Sequence, residues 1–167
     1  KNAYGNGISL LLYGPPGTGK TMAAQVIANE LALPMYRLDI SQIASKYIGE
    51  TEKNLAQIFN AASKANVILF FDEADSLFGT RSEVHDSKDR YANTEISYLL
   101  QRIESYDGIV IMATNIKGNI DSAFMRRIRY IVHFENPDEE LRKQIWNDCL
   151  KDSIPHGDID TDYLAAQ

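Results

Sequence analysis

The stretch GPPGTGKT, Gly14 to Thr21, decides how this sequence reads. It satisfies G-x-x-x-x-G-K-[ST], and it lies between an apolar run, Ile8 to Tyr13, and a helical pattern that starts at Lys20. Glycines let successive backbone N–H groups wrap an anion, and the N-terminus of the following helix adds a favourable dipole. The spacing predicts a phosphate cradle over Gly14, Pro15, Pro16, Gly17, Thr18, Gly19, Lys20, Thr21 and the adjoining Met22. In such a cradle the Lys20 ammonium reaches the β- and γ-phosphates and the Thr21 hydroxyl ligates Mg2+, so ATP and ADP with Mg2+ are the expected ligands.

Further along, VILFFDEAD, Val67 to Asp75, is an apolar strand that ends in acids. Open α/β sheets bind ligands at the carboxyl ends of their strands, which puts Asp72 and Glu73 beside the cradle. Asp72 suits Mg2+, held through water, and Glu73 suits polarisation of an attacking water. The plainer reading is that both acids only cap a loop, but buried strands seldom end in adjacent acids without a cation to face. Asp75 fits a solvated or capping role as well as a functional one. The fourth strand closes with ATN, Ala113 to Asn115, whose amide could orient the water or touch the γ-phosphate; alone, an Asn after a strand reads as turn chemistry.

The segments between these motifs alternate short apolar runs with helical periodicity, the pattern of parallel strands joined by crossover helices. Five strands are expected, at Ile8 to Tyr13, Met35 to Ile40, Val67 to Asp72, Ile109 to Thr114 and Tyr130 to Phe134. Amphipathic helices are expected over Lys20 to Leu31, Glu50 to Ala65 and Asn93 to Ile103. The fold class is therefore α/β, a five-stranded parallel sheet with helices on both faces, because three of the strands are too uniformly apolar for a sheet wetted on one face. Pro137 ends the fifth strand region, and Asp138 precedes the amphipathic run Leu141, Ile145, Trp146, Cys149, Leu150, which reads as a capped helix opening a second unit. Cys149, the lone cysteine, falls on the apolar side of that helix and reads as a core thiol.

Composition sets the outer limits. With 167 residues, 44% of them hydrophobic, the chain suits one globular domain with a proper core, or one domain and part of another. A net charge of −6 argues against nucleic acid as a partner. The apolar runs are far short of the roughly 20 residues that cross a bilayer, and no signal peptide opens the chain, so the expected location is cytoplasmic.

GPPGTGKT, FFDEAD, SKYIGETEKNL, ATN and IDSAFMRRI, in this order and spacing, resemble the AAA+ ATPases, within them the AAA branch of microtubule-severing and ESCRT-disassembling enzymes. The stretch LFGTRSEVHDSKDRYANTEISYLLQRIESYDG also resembles bacterial AAA ATPases, some of them linked to contractile injection systems. The resemblance implies a phosphate-loop NTPase fold with a large nucleotide-binding subdomain over 1–136 and a helical lid that begins at 137–167. Because TDYLAAQ stops about a turn into another helix and the second sensor motif is missing, a truncated lid is expected.

The resemblance further implies that Arg126 and Arg127, after Asp121, Ser122 and Ala123, act as arginine fingers on a neighbouring subunit's nucleotide in a homo-oligomeric ring, a hexamer. Arg129 fits a basic helix end favoured by the dipole as readily as a third finger. Tyr47, Ile48 and Gly49 match the family's substrate-gripping pore loop, aromatic, hydrophobic, glycine; read without the resemblance, Tyr47 and Ile48 form a hydrophobic staple onto the helix at Glu50. The mixed-charge stretch Gly79 to Asn93 is a solvated loop or a second pore or subunit-contact segment. The function implied is Mg2+-dependent ATP hydrolysis in a ring that remodels, unfolds or translocates protein substrates. Two other readings stand beside it, a nucleic-acid-linked loader or initiator and a scaffold stabilised by ATP.

Overall fold

The computed structural model describes residues 7–39, 50–74, 97–115, 125–150 and 159–166. Among these residues there are five parallel strands: β1 (Ile8–Tyr13), β2 (Met35–Asp39), β3 (Ile68–Asp72), β4 (Ile109–Thr114) and β5 (Tyr130–His133). They are joined in one sheet in the order β2-β3-β4-β1-β5. The chain runs out to one edge, returns through the middle and finishes on the other edge. As a result β1, which feeds GPPGTGKT, sits between β4 and β5.

The register aligns the strand ends that matter. Tyr13 pairs with Thr114 and with His133, and Asp39 pairs with Asp72, so the residues that follow β1, β3 and β4 emerge along one edge. Strand and helix limits match the periodicity closely. Val67 and Phe134 fall just outside their strands, while Ile40 and the expected helix start over 93–96 lie outside the described residues. The helices are α1 (Lys20–Glu30), α2 (Glu50–Ala65) and α3, helical over the described residues 97–105.

Both faces of the sheet are covered, as uniformly apolar strands require. On one face Leu12, Ile68, Phe70, Ile111 and Ala113 pack against Ala24 and Ala28 of α1. The two alanines leave room for the helix to lie close to the strands. On the other face Leu11, Leu69, Phe71, Val110 and Met112 pack against Leu55 and Phe59 of α2 and Leu99 and Ile103 of α3. Phe59 is the aromatic hub there, 6.3 Å from the Phe71 ring and edge-on to Tyr106 at 5.5 Å. Every residue of β3 from Ile68 to Phe71 is buried, which fixes the position of the acids at its end.

The chain divides into two compact units, Lys1–Phe134 and Glu135–Gln167. In the second, α4 (Glu139–Cys149) begins at Asp138, whose carboxylate accepts the Leu141 N–H at 2.8 Å, the expected N-cap. The Arg142 guanidinium donates to the carbonyls of Pro137, at 2.9 Å, and Ala165, at 2.6 Å, tying α4 to α5 (Thr161–Ala166). Lys143 pairs with Asp162, and that partner raises the lysine pKa. The reading of Cys149 as a core thiol is corrected: it is exposed, as are Ile145 and Trp146. The apolar spacing on α4 is real, but among the described residues of its unit the neighbour is the six-residue α5, too short to cover the stripe.

Candidate nucleotide site

The cradle is shaped by backbone conformation. Gly14, Gly17 and Gly19 have φ of 148°, 80° and 91°, where side chains are strained. Gly14 is constrained by space as well, since a Cβ there would lie 2.0 Å from the Phe134 carbonyl oxygen. Its N–H donates to the Thr114 carbonyl at 3.3 Å, while the Phe134 N–H donates to the Tyr13 carbonyl at 2.7 Å. The loop is thus suspended between β4 and the end of β5.

Helix α1 then starts at Gly19 with no side-chain cap and no acidic residue in its first turn. Its first amides have no competing carboxylate, which leaves the positive end of the dipole to an anion. Lys20 is 7% exposed, and its ammonium donates to the carbonyls of Gly14 at 2.8 Å and Pro15 at 2.6 Å. Thr18 also donates its hydroxyl to the Pro15 carbonyl, at 2.8 Å, so the lysine and the loop brace each other. Met22 is 66% exposed and stands on the outer side of the first turn.

Asp72 meets the cradle as the strand pattern predicts. The Thr21 hydroxyl donates to its Oδ2 at 3.5 Å, and the Glu73 N–H donates to its Oδ1 at 3.0 Å. Glu73 itself is exposed at a left-handed φ of 52°, a conformation uncommon outside glycine that here turns the chain sharply at the strand end. Asn115 follows β4 directly and is exposed next to the strand end that holds Gly14. A hydroxyl and a carboxylate are hard oxygen donors that suit Mg2+, an ion that keeps several waters and uses few protein ligands. Among the described residues no group of three or more His, Cys, Asp or Glu could hold a metal.

Arg126 and Arg127 are elsewhere. The Ser9 hydroxyl accepts the Arg129 N–H at 3.0 Å and donates to the Arg127 carbonyl at 3.5 Å, which pins this segment near the amino end of β1. From Ser9 to Gly14 the strand rises roughly 16 Å at about 3.3 Å per residue. Both arginines are exposed at the edge opposite their own chain's cradle, and Arg127 pairs with Glu104 of α3 at 3.0 Å. That placement follows from a rule readable in sequence: a residue just before a parallel strand must sit at the amino edge.

The charged neighbour that sequence reading missed is Arg37 on β2, whose Nη2 lies 2.6 Å from Asp72 Oδ2. Its signal was an arginine at an alternating position of an otherwise sheet-forming run. Tyr47, Ile48, Gly49, Asp75, Asp121, Ser122, Ala123 and the stretch 79–93 lie outside the described residues.

A parallel α/β sheet with a glycine loop feeding an uncapped helix, and an aspartate at the end of the adjoining buried strand, defines a phosphate-loop NTPase domain. The family model for the ATPase family associated with various cellular activities (AAA) matches residues 10–136, and the chain belongs to that family. It is 38% identical over 145 residues to Cell division protein C of Sulfolobus acidocaldarius, covering 81% of this chain and 39% of the relative. It is 37% identical over 174 residues to the Proteasome-associated ATPase of Catenulispora acidiphila, covering 89% and 29% respectively. It is 39% identical over 160 residues to the Cell division cycle protein 48 homolog of Archaeoglobus fulgidus, covering 93% and 22%. The chain therefore spans well under half the length of these relatives. Among the described residues no helix is long and apolar enough to cross a membrane.

Proposed function

We propose that this ATPase domain binds ATP with Mg2+ at the carboxyl edge of its sheet, hydrolyses it to ADP and phosphate, and works in a homo-oligomeric ring that remodels or translocates protein. The observation that carries the proposal is the meeting of Thr21 and Asp72 at 3.5 Å beside three left-handed glycines, a pair of hard oxygen ligands next to an anion cradle. Magnesium, held by Thr21 and through water by Asp72, would neutralise charge on the phosphoryl oxygens. The loop amides and Lys20 hold the phosphate chain. Glu73 accepts a proton from the water whose oxygen attacks the γ-phosphorus, the bond to the β-phosphate oxygen breaks, and Asn115 orients that water.

Arg126 and Arg127 serve the neighbouring subunit's nucleotide in this reading, which their distance from their own cradle supports. Tyr47, Ile48 and Gly49 form the pore loop that grips an extended chain through apolar area, with a hexamer as the ring and the cytoplasm as its location. Two substitutions test the site. Lys20→Ala should weaken ATP binding, whereas Glu73→Gln should preserve it and lower turnover by about 10²- to 10⁴-fold. Equal loss of ATP binding in both variants would overturn these roles.

A further inference from the structure

Strand alternation puts Met35, Arg37 and Asp39 on one face of β2, and Met35 packs there with Ile68 and Phe70 against α1. An arginine in the middle of that face is unexpected for packing. Pairing of Arg37 with Phe70, and of Asp39 with Asp72, leaves Arg37 two residues short of the sheet edge, about 7 Å along the strand. A guanidinium on its stem spans that gap. It arrives 2.6 Å from Asp72 Oδ2, the oxygen that also accepts the Thr21 hydroxyl at 3.5 Å.

The remaining carboxylate oxygen, Oδ1, accepts the Glu73 N–H at 3.0 Å. Asp72 is 14% exposed and Arg37 63% exposed, so the carboxylate is fixed while the arginine has room to swing into water. The planar guanidinium, with its fork of N–H donors, is well matched to a carboxylate. Even with a water between Oδ2 and a divalent ion, the ion and the guanidinium would face one carboxylate at close range and repel each other.

We propose that Arg37 is the resident counter-cation of Asp72 and must leave it for magnesium to be held there, so that Arg37 sets the affinity of the site for metal. The proposal rests on the reading of Asp72 as a metal-site carboxylate. Its consequence is selectivity for loaded nucleotide: a free divalent ion has to compete with the guanidinium unaided, whereas one that arrives with phosphates brings negative charge that also stabilises the cradle.

The test uses Mn2+ as the probe, with binding read by electron paramagnetic resonance on the intact protein, and nucleotide binding read separately in EDTA. Arg37→Met, which keeps most of the apolar stem, should bind free Mn2+ about two- to fivefold more tightly than wild type. Arg37→Lys, which retains the charge on a single-point contact, should fall between the two. ATP binding in EDTA should stay within about twofold of wild type in Arg37→Met, since the arginine acts on the metal and not on the phosphates. Unchanged or weaker Mn2+ binding in Arg37→Met overturns the proposal, as does weaker ATP binding in EDTA, which would make Arg37 a phosphate ligand. Asp72→Asn separates the two levels. If it leaves Mn2+ binding intact, the metal-site reading fails and the proposal with it; if it abolishes binding while Arg37→Met changes nothing, the proposal alone fails.

Discussion

At the carboxyl edge of the sheet, left-handed backbone opens a cradle; at the amino edge the same conformation merely closes helices. Gly14, Gly17, Gly19 and Glu73 belong to the first group, and Ala32 and Asn66, which follow α1 and α2, belong to the second. The helix-closing role is explicit at Ala32, where the Leu33 N–H donates to the Ala28 carbonyl at 3.0 Å and the Ala32 N–H to that of Asn29. The amino edge is instead held by side chains that bond to backbone or to each other: Ser9 to Arg129, Tyr106 to Val67, Arg127 to Glu104. One edge is shaped to receive a ligand, and the other is stitched so that it presents fixed charges outward. In the ring we propose, the amino edge of one copy would meet the carboxyl edge of the next, a head-to-tail contact that closes when the rotation permits.

The largest expected effect breaks that complementarity. Replacing Arg126 and Arg127 together by Ala should lower turnover by about 10³- to 10⁵-fold while leaving ATP binding in place. Mixing that protein with Lys20→Ala should restore part of the activity, because each supplies the edge the other lacks. Steady-state hydrolysis in mixtures shown to co-assemble is the measurement, and an absence of rescue there would assign the arginines a cis or structural role.

A middle-sized effect concerns the stitching alone. The Tyr106 hydroxyl donates to the Val67 carbonyl at 3.0 Å, and burial raises the phenol pKa above its usual 10.0. In the unfolded chain the phenol ionises first, so stability should be full below pH 10.0 and fall as pH rises from there through the folded pKa. Tyr106→Phe should remove that alkaline slope and cost about 0.5–1.5 kcal/mol near neutral pH, measured by denaturant titration at several pH values. ATP turnover per folded molecule should hardly change, since the hydroxyl lies at the edge away from the cradle. An alkaline slope identical in the Phe variant would show that another group is responsible.

The carboxyl edge was largely legible in the sequence because its residues are consecutive. GPPGTGKT is one unbroken run, and Asp72 follows a strand so apolar that its end could be placed to the residue. The order β2-β3-β4-β1-β5 was not legible, because periodicity finds strands but does not say which ones pair. For the same reason the contacts between Arg37 and Asp72, Ser9 and Arg129, and Glu104 and Arg127 were missed: each joins residues far apart in sequence that only the sheet order brings together. Cys149 failed differently. Apolar spacing on a helix predicts which side seeks cover, not whether its own unit supplies any.

The smallest expected effect sharpens the role of the amino edge. Arg127 and Glu104 form their 3.0 Å pair with side chains 45% and 31% exposed, so water and salt screen most of the attraction. Glu104→Gln should therefore cost only about 0.2–1 kcal/mol of stability, and the difference from wild type should shrink as added salt shortens the Debye length below about 8 Å. If Glu104 holds Arg127 back within its own subunit, the variant should also reach half-maximal turnover at a lower protein concentration, because no ion pair has to break before the arginine reaches the adjoining nucleotide. If Glu104 instead aims the arginine outward, the same variant should need more protein. Turnover measured against protein concentration, at low and high salt, separates the two, and a concentration dependence that does not move at all would mean that Arg126 alone makes the contact.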